Sequence, residues 1–213
     1  VFHQSLVLIL ENNEEITSGV VLNRPSTKSV EIAGATLPLR FGGRFGVKGK
    51  KTDKPELWLH CNNRDLQDAK VGEPISDYED GSIVWKCSRV DAESALAVGL
   101  AKPEDFVVVE GLSVWNKSPS VTRGHQSPVE IDACFSEVHD VGIDIVWKLL
   151  SSQEPLNKKN AAENLEAANA AWMIGSGNLG AGSVFQTMEQ QHVQSLASNA
   201  LDRWIRLFLL KKP

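Results

Sequence analysis

Two residues that make chemistry together in many enzymes stand side by side at His60 and Cys61. A thiol next to an imidazole is the pair from which cysteine nucleophiles are built, because the ring lowers the cost of the thiolate. Neighbours on an extended chain point to opposite faces, so these two cannot serve each other and each would need a third residue. His60 therefore reads first as a hydrogen-bonded structural histidine. Arg24, in Asn23-Arg24-Pro25, is the next candidate. A guanidinium beside a proline-restrained backbone can meet a carboxylate or phosphate, or can close an internal salt bridge that fixes the turn. Gly42-Gly43, followed by Arg44, can bring backbone amides close to an anion or simply permit a tight bend. Arg24, Gly42, Gly43, Arg44 and His60 together make the one ligand-binding constellation the sequence offers. It requires Arg24 and Gly43 to lie within about 10 Å of each other.

Other patterns fail on context. Gly175 to Gly180, GSGNLG, matches G-x-G-x-x-G, but a helical pattern precedes it where a dinucleotide site needs a strand, so it reads as a connector. GVKGKKT at 46–52 lacks the glycine at 44 and the Ser or Thr at 51 that a phosphate loop would need. His3, His125, His139 and His192 show no metal-ligand spacing. The six tryptophans are dispersed and read as core. The sequence calls for no catalytic residue, metal or cofactor.

The elements that would hold these residues begin with a hairpin. Leu6 to Leu10 is a continuous apolar run, suited to a strand covered on both faces, and Asn12 to Glu15 supplies the turn. Gly19 to Leu22 returns and stops at Pro25. Ser26 to Ala33 reads as a helical turn or a loop. Strands are expected at Leu37–Phe41, Leu57–Cys61, Ser82–Cys87 and Phe106–Glu110. A helix capped by Asp91 should run to about Val98, with Gly99 at its end. Arg40 to Lys54 reads as a basic loop and Asp65 to Asp80 as an acidic one. Residues 116–128 read as an irregular loop, and Ile143, Val146, Trp147 and Leu150 share a helical face. Ala161 to Ile174 should be helical. In the last helix Val193, Leu196, Ala197, Ala200, Leu201, Trp204 and Phe208 form an apolar face.

The sequence Phe2, Ser5 to Glu11 (SLVLILE) and Gly19 to Pro25 resembles the opening of the YqgE/AlgH family. Gly42-Gly43, Leu59-His60 and Gly111 with Trp115 follow in that family's order. The resemblance covers about residues 2–151. It departs after Trp115, where the family continues Gly-Gln-Leu-Glu and this chain has Asn116-Lys117-Ser118-Pro119. It implies an α+β fold with a bent, mostly antiparallel sheet forming a partly closed pseudo-barrel with packed helices. The domain would span 1–151, with 152–213 a helical C-terminal extension packed on it or on a partner. Family members have no established activity and carry the label of transcriptional regulators.

Composition bounds the function. An apolar content of 42% can build a substantial core, and a formal charge of −5 argues against nucleic acid as a partner. Cys61, Cys87 and Cys134 lack paired spacing and read as free thiols of a reducing compartment. No apolar run reaches the ~20 residues of a membrane span, so a soluble protein is expected. The start at Val1 would follow loss of a leader, and a plastid or other organelle would suit a eukaryotic relative. The expectation is a non-catalytic protein that binds other protein chains as an accessory subunit, with Val193, Leu201, Trp204 and Phe208 as partner contacts. The alternatives are a small-anion binder or weak hydrolase, and the regulator role of the bacterial relatives.

Overall fold

The computed structural model describes residues 5–44, 55–61, 63–77, 83–116, 135–137 and 143–175. It is an α+β fold, and six of its eight described strand pairs are antiparallel. The strands divide between two curved sheets that do not close into a barrel.

The smaller sheet has the order β10-β1-β2-β9, with β1 Ser5–Asn12, β2 Ile16–Val21, β9 Ser113–Asn116 and β10 Phe135–Glu137. β1 and β2 are the expected hairpin. The Asn13 side-chain oxygen accepts from the amides of Glu15 and Ile16, both at 2.9 Å, and its own amide donates to Ile16 O at 3.0 Å, so side chain and backbone close the turn together. The apolar run of β1 is covered on both faces. Leu6 and Leu8 enter the main core, while Val7 and Ile9 pack with Val21 and Trp115 on the other side.

The larger sheet has the order β3-β4-β8-β5-β7-β6. Its strands are β3 Ser29–Ile32, β4 Ala35–Phe41, β5 Glu56–Cys61, β6 Glu73–Asp77, β7 Ile83–Cys87 and β8 Phe106–Glu110. The chain links the sheets where β2 leads into β3. There the Val21 amide donates to Gly42 O at 3.0 Å and the Phe41 amide to Arg24 O at 2.9 Å.

Alternation along the larger sheet creates two cores. Leu59, Cys61, Val84, Val107 and Val109 face the small sheet, together with Val146, Trp147 and Leu150 of α3 (Ile143–Ser151) and Ala171 of α4 (Ala161–Gly175). Trp58, Phe106, Val108, Leu37 and Leu39 face the other way, against Leu66 of α1 (Arg64–Asp68) and Ala92 and Ala95 of α2 (Arg89–Ala97). The segment after residue 151 is tied to the first core. The Leu156 amide donates to Ser26 O at 3.1 Å, and Asn23 Nδ2 donates to Ala168 O at 3.0 Å.

Four local expectations change. Ser26 to Ala33 contains strand β3 rather than a helical turn, with Val30 and Ile32 buried and Ser29 and Glu31 exposed. A two-residue turn, Ala33-Gly34, both at positive φ, joins it to β4. Ser88, not Asp91, caps α2. Asp91 is the third helical residue and closes a capping box, with its amide 3.1 Å from Ser88 Oγ and its Oδ2 3.1 Å from the Ser88 amide. The acidic stretch holds α1 and β6, and the basic one begins inside β4. The expected loop at 117–128, the basic residues Lys48, Lys50, Lys51 and Lys54, residues 176–180 and the expected final helix lie outside the described residues. No helix among the described residues is long and apolar enough to cross a membrane.

Candidate functional site

β5 presents His60 and Cys61 to opposite cores, as an extended chain must. His60 is fully buried. Its Nε2 lies 2.8 Å from Val71 O, in the loop that follows α1. That carbonyl requires a proton on Nε2, which leaves Nδ1 of the neutral ring as an acceptor, and Nδ1 has no hydrogen-bond partner. The ring stacks on Trp85 at 5.9 Å and meets Phe106 edge-on at 6.1 Å. Burial holds His60 below the ordinary histidine range, while the Val71 carbonyl and the charge of Asp105 pull it back up. The ring is thus enclosed by Val71, Trp85 and Phe106. Cys61 and Cys87 are both buried, and burial with nearby Asp91 pushes the Cys87 thiol up to about 12. Cys87 therefore lacks the thiolate character of a nucleophile.

Arg24 lies where β2 leaves the small sheet. It is buried, and its guanidinium donates to Ser5 Oγ from Nε at 3.4 Å and from NH2 at 3.2 Å. Burial brings its pKa down to about 10, so it remains a cation at neutral pH. Its carbonyl accepts the Phe41 amide, which brings the Arg24 backbone next to the Gly42-Gly43 bend.

The glycine pair is explained by packing. A Cβ on Gly42 would stand 2.5 Å from Gly111 O, and one on Gly43 would stand 2.0 Å from the Leu112 backbone. The Gly42 amide donates to Glu110 O at 2.9 Å, and its carbonyl accepts from Val21 and from Ser113 Oγ, so its polar groups are spent within the fold. Arg44 follows and is exposed.

The constellation is thus brought together in part. Arg24, Gly42, Gly43 and Arg44 neighbour one another, whereas His60 is remote. Phe41 registers with Glu110 of β8 and His60 registers with Phe106. That offset of four residues is about 13 Å along the sheet at about 3.3 Å per residue. Val193, Leu201, Trp204 and Phe208 lie outside the described residues.

One charged residue was missed. Arg40, read as part of a basic loop, is 2% exposed on β4. Its NH2 donates to Leu150 O at the end of α3 (2.8 Å) and to Gln153 Oε1 (2.5 Å). Burial lowers its pKa to about 9, which still leaves it charged at neutral pH. The signal was present in Leu37-Pro38-Leu39-Arg40-Phe41: alternation sends Leu37 and Leu39 to one core and Arg40 to the other. Among the described residues no group of three His, Cys, Asp or Glu side chains could hold a metal. No family model, curated protein or solved structure matches the chain.

Proposed function

We propose that this chain is a non-catalytic, YqgE/AlgH-like protein that works by binding another protein, as an accessory subunit of a larger assembly. The observation that supports it is the outward face of α2. Val90 and Val98 are 68% and 71% exposed there, and Leu100 beyond the helix is 36% exposed. Val90, Ser94 and Val98 recur every four residues, so they form one stripe. Ser94 Oγ donates back to Val90 O at 2.8 Å, which turns its hydroxyl away from a partner. Arg89 and Glu93, paired at 2.9 Å, form a polar rim.

Size defines the occupant. A nine-residue helix is about 13 Å long. Two such stripes pressed together fall short of the roughly 1,200 Å² that stable pairs bury, which disfavours a second copy of this chain. The fitting partner is a larger protein with an apolar groove that receives α2 from both sides. The buried state of His60, Cys61, Cys87 and Arg24 supports the same reading, since groups enclosed by the fold do not turn over substrate.

The test is crosslinking of the protein in native extract, compared with the double variant Val90→Asp/Val98→Asp. Wild type should carry a stoichiometric partner with crosslinks mapping to α2, and the variant should lose it with an unchanged Tm. A lone monomer, or equal crosslinking by both proteins, overturns the reading.

A further inference from the structure

Among the described residues Arg40 is a cation without a counter-ion. None of the ion pairs among the described residues includes it, and what surrounds it is the carbonyl of Leu150 and the amide of Gln153. A buried charge is normally paired with an opposite one, because hydrogen bonds from neutral groups recover only part of the lost hydration. Its two terminal nitrogens are unequally served. NH2 has both of its acceptors, while NH1 is buried and has none; Nε2 of Gln153 is buried and also without an acceptor. Two donors with nothing to bond to therefore belong to side chains already joined to each other through NH2 and Oε1.

We propose that Arg40 and Gln153 form a site for a small carboxylate at the C-terminal end of α3, in which the ligand displaces the Gln153 amide oxygen from the guanidinium. The amide occupies half of the NH1/NH2 fork with a neutral oxygen. A carboxylate matches the whole fork, one oxygen on each nitrogen, and replaces a neutral acceptor with a charged one. The carbonyl of Leu150 keeps its bond to NH2 and holds the fork in place, as a helix C-terminus favours a cation. The displaced Gln153 side chain can then donate through Nε2 to the same ligand.

Gln153 lies on the short connection between α3 and α4, half-buried between exposed Ser152 and exposed Glu154. Binding requires that rotation of its side chain about its own torsions uncover Arg40 from the solvent side. A cover of one side chain restricts the ligand to a small one. The site is separate from the α2 stripe and does not depend on it.

The test uses nuclear magnetic resonance of the Gln153 side-chain amide and the Arg40 Nε–H during titration with acetate at constant ionic strength, with inorganic phosphate as the parallel probe. Acetate should move both signals saturably, and phosphate should not. Gln153→Ala, which removes the competing oxygen, should lower the acetate concentration at half-response. Gln153→Glu supplies the carboxylate internally. At pH 7 it should raise Tm by about 2–4 °C and abolish the acetate response. These two variants leave Arg40 in place, so the result does not hang on whether an Arg40 variant folds. Signals unmoved by acetate in both wild type and Gln153→Ala, an equal response to phosphate, or a Tm of Gln153→Glu no higher than that of wild type overturns the proposal.

Discussion

The two faces of the six-stranded sheet solve burial differently. The face toward the small sheet is aliphatic: Leu59, Cys61, Val84, Val107 and Val109 meet Leu6, Leu8, Val20 and Leu22 and the apolar side of α3. On this side Trp147 Nε1 donates to Asp105 O at 3.2 Å, while Nε1 of Trp172 on α4 is buried with no hydrogen-bond partner. The opposite face is aromatic, with Trp58, His60, Trp85 and Phe106 beneath α1 and α2. It encloses Trp58 Nε1, His60 Nδ1 and Trp85 Nε1 with no hydrogen-bond partner. Large rings gain much from burial, but each enclosed polar atom returns part of that gain. The aromatic face should therefore answer to mild acid through His60, whereas the unserved polar atoms on the side of the aliphatic face include those of Arg40 and Gln153, which keep their charge state at and below neutral pH.

The comparison can be broken most directly at Trp58 and Leu59, consecutive residues that are both fully buried on opposite faces. Trp58→Ala should cost about 3–5 kcal/mol and Leu59→Ala about 2–5 kcal/mol in urea unfolding. Equal m values would make the two faces one cooperative unit. A reduced m for Trp58→Ala would mean that the α1–α2 side unfolds separately. Next in size is Ser88→Ala, which removes the cap of α2 and should cost about 1 kcal/mol. Amide exchange should quicken in α2 while Val107 and Val109 stay protected. Exchange that rises equally on both faces would erase the distinction.

The smallest effect at neutral pH, and the one that sharpens the contrast, belongs to His60. Its folded-state pKa lies below the 6.5 of an unperturbed ring, so the unfolded chain binds more protons as pH falls below 6.5. Stability contributed by His60 is complete above that value and is lost progressively as pH falls toward the folded pKa. His60→Phe should flatten this limb of the stability profile. An unchanged slope would place the acid sensitivity elsewhere.

Periodicity made the long elements legible. The apolar run of β1, the Asn-rich turn after it, and the spacing of Val146, Trp147 and Leu150 each carry their geometry in the side chains themselves. What was hidden depends on partners distant in sequence. β3 has a readable alternation, but the Ala33-Gly34 turn lacks the Asn-Gly signature that would have announced a hairpin, since Ala33 takes a positive φ that its type disfavours. Arg40 looked solvated because its neighbours in sequence are basic. Its neighbours in space, Leu150 and Gln153, come from more than a hundred residues away. The proximity of Arg24 to Gly42-Gly43 and the distance of His60 from both are matters of strand register, and no local pattern encodes register between strands that are not consecutive.

Asn23 has a consequence for the order of events when the chain is made. Its Oδ1 accepts the Leu6 amide at 2.8 Å while its Nδ2 reaches Ala168, a sequence separation of 145 residues. At about 5–20 residues per second, a ribosome needs roughly 7–30 s to cross that interval. A hairpin forms within microseconds, so β1 and β2 can pair long before the residue that completes Asn23 exists. For that time Leu6, Leu8, Val20 and Leu22 have no α3 or α4 to cover them. The nascent chain is then a strand pair with a bare apolar face, the species most in need of a chaperone.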